Sequence, residues 1–283
     1  MKYLIIGHKG QLGKEFVKRL SLLNFDFTAV DIDKLDITKR DDVIKFFRNI
    51  KPDVTINCAA YNLVDDAEKN PDSAYAVNSD AVLNLALACH ENKSYLIHYS
   101  SDYVFNGTKK DGLYIESDKP NPINKYGESK LKGEQLLTET LDNYLLFRLS
   151  WVFGEGTQNF IHKFIQWSKN SHELKIADDE VSIPTYTYVI VDATLKSLDK
   201  GLSGLFHLAN SGHTSRFDWA KHISEIMKLN VNIIPVSKEI FNLPAKRPEF
   251  SAMDNKKISQ ELGFVIPTWQ GSVSNFLKSE IIL

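Results

Sequence analysis

Two side chains spaced for proton chemistry stand in Tyr126-Gly127-Glu128-Ser129-Lys130, and a hydroxyl, Ser101, lies on an earlier segment. On a helix, residues four apart share a face. A phenol titrates near pH 10 and carries protons poorly at neutrality, with an unperturbed pKa of about 10. An ammonium group beside Tyr126 favours the phenolate and draws that pKa toward the working range. Such a pair gives a proton to, or takes one from, a carbinol oxygen. Tyr-x3-Lys also occurs by chance on amphipathic surface helices, so the flanking sequence must decide.

The elements that would position these groups begin at the N-terminus. Tyr3-Leu4-Ile5-Ile6 is an apolar strand signal that runs into Gly7-His8-Lys9-Gly10-Gln11-Leu12-Gly13. Leu12, Phe16, Val17 and Leu20 then recur at helical spacing. Strand, glycine turn and helix form the context of a dinucleotide fingerprint, here spaced Gly-x2-Gly-x2-Gly. Its physical needs are a tight turn, close backbone approach to a diphosphate, and a helix N-terminus whose free N–H groups face the phosphates. A second strand, Phe27 to Val30, ends at Asp31. An acid about 20 residues past the glycines suits a ribose 2′-hydroxyl and repels a 2′-phosphate, which favours NADH over NADPH; Lys9 and Lys34 soften the preference. Asp36-Ile37 follows, where a carboxylate meets either an adenine amino group or its own turn. Thr38 reads as the cap of a helix through Arg48.

Val54-Thr55-Ile56-Asn57-Cys58-Ala59-Ala60 is a third strand whose small C-terminal residues let a cofactor approach, with Tyr61 opening the next loop. Pro71 suits a first helical position, and the buried helix after it carries Asn78, a polar group in need of a partner. Tyr95 to Ser100 is a fourth strand with Ser101-Asp102-Tyr103 at its tip. A long loop, 104–124, leads into Tyr126 and reads as functional. Tyr144 to Leu149 is a further strand. Beyond it come helices at Phe160–Trp167, Val189–Leu198 and Phe217–Met227, a turn at Pro184-Thr185, a strand at Gly204–Leu208 returning to the main sheet, and a short helix near Lys257.

The fold class is therefore α/β, a Rossmann-type doubly wound parallel sheet with a smaller, interleaved C-terminal α/β substrate domain. Residues 1–150 plus about 186–209 form the dinucleotide-binding part, and about 151–185 with 210–283 the substrate part. Composition agrees: 283 residues, 43% hydrophobic and 25% charged, with a formal net charge of -2, give no electrostatic footprint for nucleic acid or an anionic membrane. No apolar run reaches membrane-spanning length, and no signal peptide is legible, which points to the cytoplasm. Cys58 and Cys89 sit in apolar segments and read as reduced, buried thiols.

Taken together, Gly7/Gly10/Gly13, Ala59-Ala60, Ser101 and Tyr126/Lys130 resemble an extended short-chain dehydrogenase/reductase. Gly10-Gln11-Leu12-Gly13, Asn57-Cys58-Ala59-Ala60-Tyr61, Val64-Asp65-Asp66-Ala67-Glu68, His98 to Phe105, Arg148 to Gly154, Pro184-Thr185 and Arg247-Pro248 with Ser251 resemble one branch, the dTDP-4-dehydrorhamnose reductases. That resemblance implies NAD(P)H-dependent reduction of a dTDP-4-keto sugar. Tyr126 would protonate the developing alkoxide, Lys130 hold the nicotinamide ribose and lower the Tyr126 pKa, and Ser101 hydrogen-bond the carbonyl oxygen. Asp102, Tyr103 and Trp151 would line the sugar pocket, and Arg247 would meet the diphosphate. Glycines 7, 10 and 13, Gln11, Leu12, Asp31, Asp36, Ile37, Ala59, Ala60 and Tyr61 would hold the dinucleotide. The resemblance also brings in a homodimer, and an Mg2+ ion described for some members beside an acidic residue near Glu15; a surface glutamate is the plainer reading of Glu15. A dehydratase is disfavoured, because Tyr103 follows Asp102 where an acid/base glutamate would be required. A reductase of another deoxysugar and a non-catalytic regulatory subunit remain as alternatives.

Overall fold

In the computed structural model, which describes residues 1–281, the chain alternates strands and helices as the periodicity requires. Strand β1 (Lys2–Ile6) leads through the glycine turn into α1 (Gln11–Leu22), then β2 (Asp26–Val30), α2 (Arg40–Ile50) and β3 (Val54–Asn57). Helices α3 (Val64–Lys69) and α4 (Pro71–Tyr75) run through a π-helical turn into α5 (Ala81–Asn92) and β4 (Tyr95–Ser101). Helix α6 (Lys125–Thr140) and β5 (Tyr144–Leu149) complete this half. Helix α2 starts at Arg40 with Lys39 at its cap position. Thr38 does not cap it: its N–H and hydroxyl are turned back onto the Asp36 carboxylate, at 3.0 and 2.7 Å.

The second half is built of smaller pieces. In order they are β6 (Val152–Phe153), α7 (Phe160–Asn170), β7 (Glu173–Ala177), β8 (Val181–Ser182), β9 (Thr185–Tyr186) and α8 (Thr187–Asp199). Then come β10 (Gly204–His207), β11 (Thr214–Ser215), α9 (Arg216–Met227), β12 (Asn232–Val236), α10 (Lys256–Leu262) and α11 (Trp269–Ile281).

Six strands form one parallel sheet in the order β10-β5-β4-β3-β1-β2. Alternation along β1 sends Tyr3 and Ile5 to one face and Leu4 and Ile6 to the other. The first face buries Phe16, Ile97, Phe147 and Ile190 under α1 and α8, and the second buries Phe47, Leu85, Leu96 and Leu137 under α2, α5 and α6. Both faces being covered is what lets parallel strands read as nearly continuous apolar runs. Strand order reverses between β1 and β3, and the crevice at such a switch, beyond the strands' carboxyl ends, is where open α/β sheets take ligands.

The three two-stranded sheets, β6 with β9, β7 with β12 and β8 with β11, lie outside the main sheet. Their core is aromatic, centred on Phe153, Phe164, Trp219, Trp269 and Phe276. Strand β10, which falls between β9 and β11 in the chain, rejoins the main sheet beside β5, as its sequence pattern led us to expect.

Candidate active site

The glycine turn shows why each glycine is needed. Gly7 has φ +78°, and a Cβ there would sit 2.7 Å from the Ala59 nitrogen; a Cβ on Gly13 would collide with the Gly7 carbonyl. Gly10 caps α1 without a side chain and would meet only the Gly7 oxygen, at 3.4 Å. The helix therefore presents uncapped N–H groups across a bare glycine to the crevice, a ready anion site.

A cavity of about 690 Å3 opens there. Gly10, Gln11, Leu12, Ala59, Ala60, Ser101, Asp102, Tyr126, Lys130 and Trp151 all line it, so groups drawn from five segments converge. The Oε1 of Gln11 and the Oγ of Ser100 are buried there without a protein partner. Orphaned polar atoms, a side-chain-free cradle and a helix N-terminus fit a dinucleotide diphosphate. Gly7 and Gly13 shape the turn from behind.

Helix α6 carries Tyr126 and Lys130 and is fixed at several points. Asn124 caps it, accepting from the Gly127 N–H at 2.8 Å. Asn78, flagged by its polarity on an apolar helix, bonds the Tyr61 N–H and carbonyl at 2.9 and 3.0 Å and the Ser129 hydroxyl at 3.0 Å. One buried amide thus ties the Tyr61 loop to the helix of Tyr126. Farther along, Glu134 receives a two-pronged bond from Arg148 of β5, at 2.9 and 2.6 Å, with both side chains buried.

Within this frame Tyr126 is 9% exposed and packs edge-on against Tyr103. Its hydroxyl lies 3.4 Å from Asn62 Oδ1, a contact with no signal in the local pattern. Burial pushes the Tyr126 phenol up to about 12, and the Ser101 hydroxyl pulls the other way. Lys130 is buried, donates to the Tyr99 carbonyl at 2.6 Å, and is lowered to about 8 by burial, with Glu134 opposing. The sequence argument expected the ammonium to bring the phenol down. Burial dominates, with the Asp102 carboxylate adding to it, and the phenol stays protonated throughout the physiological range.

Ser101 accepts the Tyr103 N–H and donates to Asp102, both at 3.1 Å. Asp102 is almost fully buried; besides Ser101 it accepts from Ser182 at 2.8 Å and Ser251 at 2.6 Å, and burial raises its carboxyl. Asp102 lines the cavity as expected, and its carboxylate is held by three serine hydroxyls, two of them from segments 80 and 149 residues away. Trp151 stands at φ +36°, its ring stacked on Trp219 and capped by the Arg216 guanidinium at 3.6 Å. A bulky residue keeps such a backbone only where its surroundings over-determine it.

Other predicted residues fall differently. Asp31 lies at the end of β2 and accepts N–H bonds from Lys9 and Ile32, each at 3.0 Å, beside the glycine turn. Asp36 accepts both Thr38 bonds on one carboxylate oxygen, and those bonds lower it. The Ile37 side chain is buried in the core, and its carbonyl accepts from Asn84. Tyr61 donates its hydroxyl to Asp66. Tyr103 donates to Glu180 at 3.2 Å. Arg247 forms a double bond bridge to Asp65, both arms 2.7 Å. Glu15 is buried, not a surface residue, and its carboxyl is raised mainly by burial. Among the described residues there is no group of three or more His, Cys, Asp or Glu able to hold a metal, so Mg2+ finds no support. No described helix is long and apolar enough to cross a membrane.

A second cavity of about 600 Å3 lies beyond Trp151, lined by Phe160, Trp167 and Phe241 and by cations including Lys175, Arg216, Lys238 and Arg247.

Comparison with known proteins agrees with this geometry. The family model described as RmlD substrate binding domain matches residues 1–281. A dTDP-4-dehydrorhamnose reductase of Burkholderia thailandensis is 34% identical over 96% of this chain and 97% of its own length, and one of Escherichia coli K12 is 34% identical over 98% and 97%. The crystal structure of a dTDP-4-dehydrorhamnose reductase from Clostridium acetobutylicum superposes with a TM-score of 0.97 at 36% identity, covering 99% of this chain and all (100%) of that one. The Bacillus anthracis enzyme, solved in complex with NADP, gives 0.94 at 35% identity over 98% and 99%. A Thermus thermophilus UDP-glucose 4-epimerase, 18% identical with a TM-score of 0.86, shares the fold. The chain belongs to the RmlD substrate binding domain family, that of the dTDP-4-dehydrorhamnose reductases.

Proposed function

We propose that the protein reduces the 4-keto group of dTDP-4-dehydro-L-rhamnose to give dTDP-L-rhamnose with a nicotinamide dinucleotide, in the biosynthesis of surface polysaccharide. The observation that carries this reading is the meeting of Ser101, Tyr126 and Lys130 in one cavity with the α1 N-terminus and the small residues after β3. A nicotinamide dinucleotide held in the cavity would supply the hydride. The protein's own residues handle the proton and the geometry. Tyr126, kept protonated by burial, gives its proton to the carbinol oxygen as negative charge develops there. Ser101, which lines the same cavity, adds a fixed dipole at the same oxygen. Lys130 remains mostly charged at neutral pH and stabilises the phenolate that Tyr126 becomes.

In this reading residues 1–150 with about 186–209 hold the dinucleotide, and 151–185 with 210–283 hold the nucleotide sugar. The keto sugar stacks on Trp151, and its nucleoside extends into the aromatic second cavity. Asp31 supports a preference for NADH, since its carboxylate lies beside the turn that receives the phosphates. The test is oxidation of NADH and NADPH against a panel of dTDP-4-keto sugars. Turnover of the 4-dehydrorhamnose form above the others is expected; cofactor binding with no turnover on any of them would favour a regulatory subunit.

A further inference from the structure

The two cavities meet at one contact. Trp151 lines the catalytic cleft and Arg216 lines the second cavity, with the guanidinium lying flat over the indole at 3.6 Å. The Phe160 and Trp219 rings stand 5.2 and 5.5 Å from the same group. Aromatic contact on its face fixes the plane of a guanidinium and leaves its edges, where the N–H groups point, free to bind. Those edges are available. Glu180, its partner carboxylate, is 3.9 Å away, beyond hydrogen-bond length, and already accepts the Tyr103 hydroxyl. Among the described residues the Arg216 side chain donates no hydrogen bond.

Arg247, the arginine the sequence suggested for the diphosphate, is in the opposite condition. Both of its terminal nitrogens are bonded to Asp65, and one also reaches the Ala245 carbonyl at 2.7 Å. Lys238 likewise leans on the Asp179 carbonyl and Glu249. A nucleoside diphosphate sugar places its two phosphates between sugar and nucleoside. With the sugar against Trp151 and the base among Phe160, Trp167 and Phe241, the phosphates fall at the junction of the cavities.

We propose that Arg216 is the group that grips the substrate's diphosphate, a refinement that rests on the nucleotide-sugar reading above. The guanidinium is pre-oriented by the aromatic stack, so little rotamer freedom is lost when it binds, and its planar fork matches phosphate oxygens two at a time. Arg247 then serves chiefly to hold the loop of Asp65 to the loop before Ser251.

The test compares wild type, Arg216→Gln and Arg216→Lys by calorimetric titration with dTDP and with thymidine. The Gln variant is expected to bind dTDP on the order of 30-fold more weakly, as loss of charge-assisted bonds predicts. Its thymidine affinity should be unchanged, the Lys variant should recover part of the loss, and in turnover KM should rise while kcat moves little. Equal dTDP affinity in wild type and Arg216→Gln overturns the assignment. So does a parallel loss for thymidine and dTDP, which would mark Arg216 as a mere support for Trp151. If wild type binds dTDP through Arg216 yet reduces no dTDP-4-keto sugar, the reductase reading fails and this one stands.

Discussion

Lys130 reaches past its own helix to donate to the carbonyl of Tyr99, the residue two before Ser101 on β4, at 2.6 Å. The bond locks α6 against the strand that ends in the Ser101 hydroxyl, so the spacing of Tyr126 and Ser101 is set by the backbone of one and the side chain of the other's neighbour.

Removing the Tyr126 hydroxyl deletes the proposed proton donor and leaves the dinucleotide crevice intact. Tyr126→Phe should lower kcat by about 10²- to 10⁴-fold, the range of general acid catalysis. Dinucleotide affinity, followed by quenching of tryptophan fluorescence, should stay within a few-fold of wild type. Unchanged turnover would take Tyr126 out of the chemistry.

The Lys130 ammonium, lowered to about 8, gives two effects of opposite sign. Activity needs the charged form, so kcat/KM for the dinucleotide should fall as pH rises through about 8. An unfolded lysine holds its proton to about pH 10.4. Between those values the unfolded chain binds more protons than the folded one, so this group's contribution to stability improves as pH rises. Relative to Lys130→Met, wild type should therefore gain in denaturant midpoint from pH 8 to 10 while it loses rate. A rate limb that survives in Lys130→Met would assign it to another group.

Gly13 and Gly10 should respond differently to one added methyl. Gly13→Ala drives a Cβ into the Gly7 carbonyl and should abolish dinucleotide binding and lower Tm. Gly10→Ala meets only a 3.4 Å contact, so Tm should hold and the loss should appear in dinucleotide affinity alone. Equal Tm losses in both variants would contradict this account of the turn.

Glu134→Ala leaves Arg148 buried and uncompensated, which costs about 3–5 kcal/mol where one partner of a buried pair is removed. Chemical denaturation should register it as a lower midpoint, and replacing both residues by apolar ones should recover much of the loss. A shift below about 1 kcal/mol, the range of an exposed pair, would mean that water reaches the guanidinium.

Asp31→Asn removes the charge that opposes a 2′-phosphate. The ratio of kcat/KM for NADPH over NADH should rise by about tenfold or more, as expected for loss of close like-charge repulsion. A ratio that does not move would shift coenzyme choice to Lys9, which instead pairs with Asp33 at 2.8 Å.

The first half of the fold was legible because local signals agree there. β1, the glycine turn and α1 follow from apolar period and backbone freedom, and the chemistry sits at strand ends where short motifs carry it. The second half resisted. β7 and β12 are short and half exposed, so neither shows a clean alternation, and their pairing joins segments with a whole helical excursion between them. Helix α11 went unread, and its Trp269 and Phe276 turn out to belong to the aromatic core. Ser182, Ser251 and Arg216 matter through contacts with Asp102 and Trp151 from distant parts of the chain, and nothing in their local sequence announces that. Asn78 was the exception: a polar group on an apolar face signalled a partner before the partner was known.

The return of β10 to the flank of β5 has a consequence for how the molecule is completed. Any version of the chain that stops short of residue 204 leaves β5 with a bare row of amide and carbonyl groups, the kind of edge that recruits strands from other molecules. Fragments cut at the apparent end of the first half should therefore clump and not behave as small dinucleotide binders; the C-terminal segments guard the very sheet to which they are added.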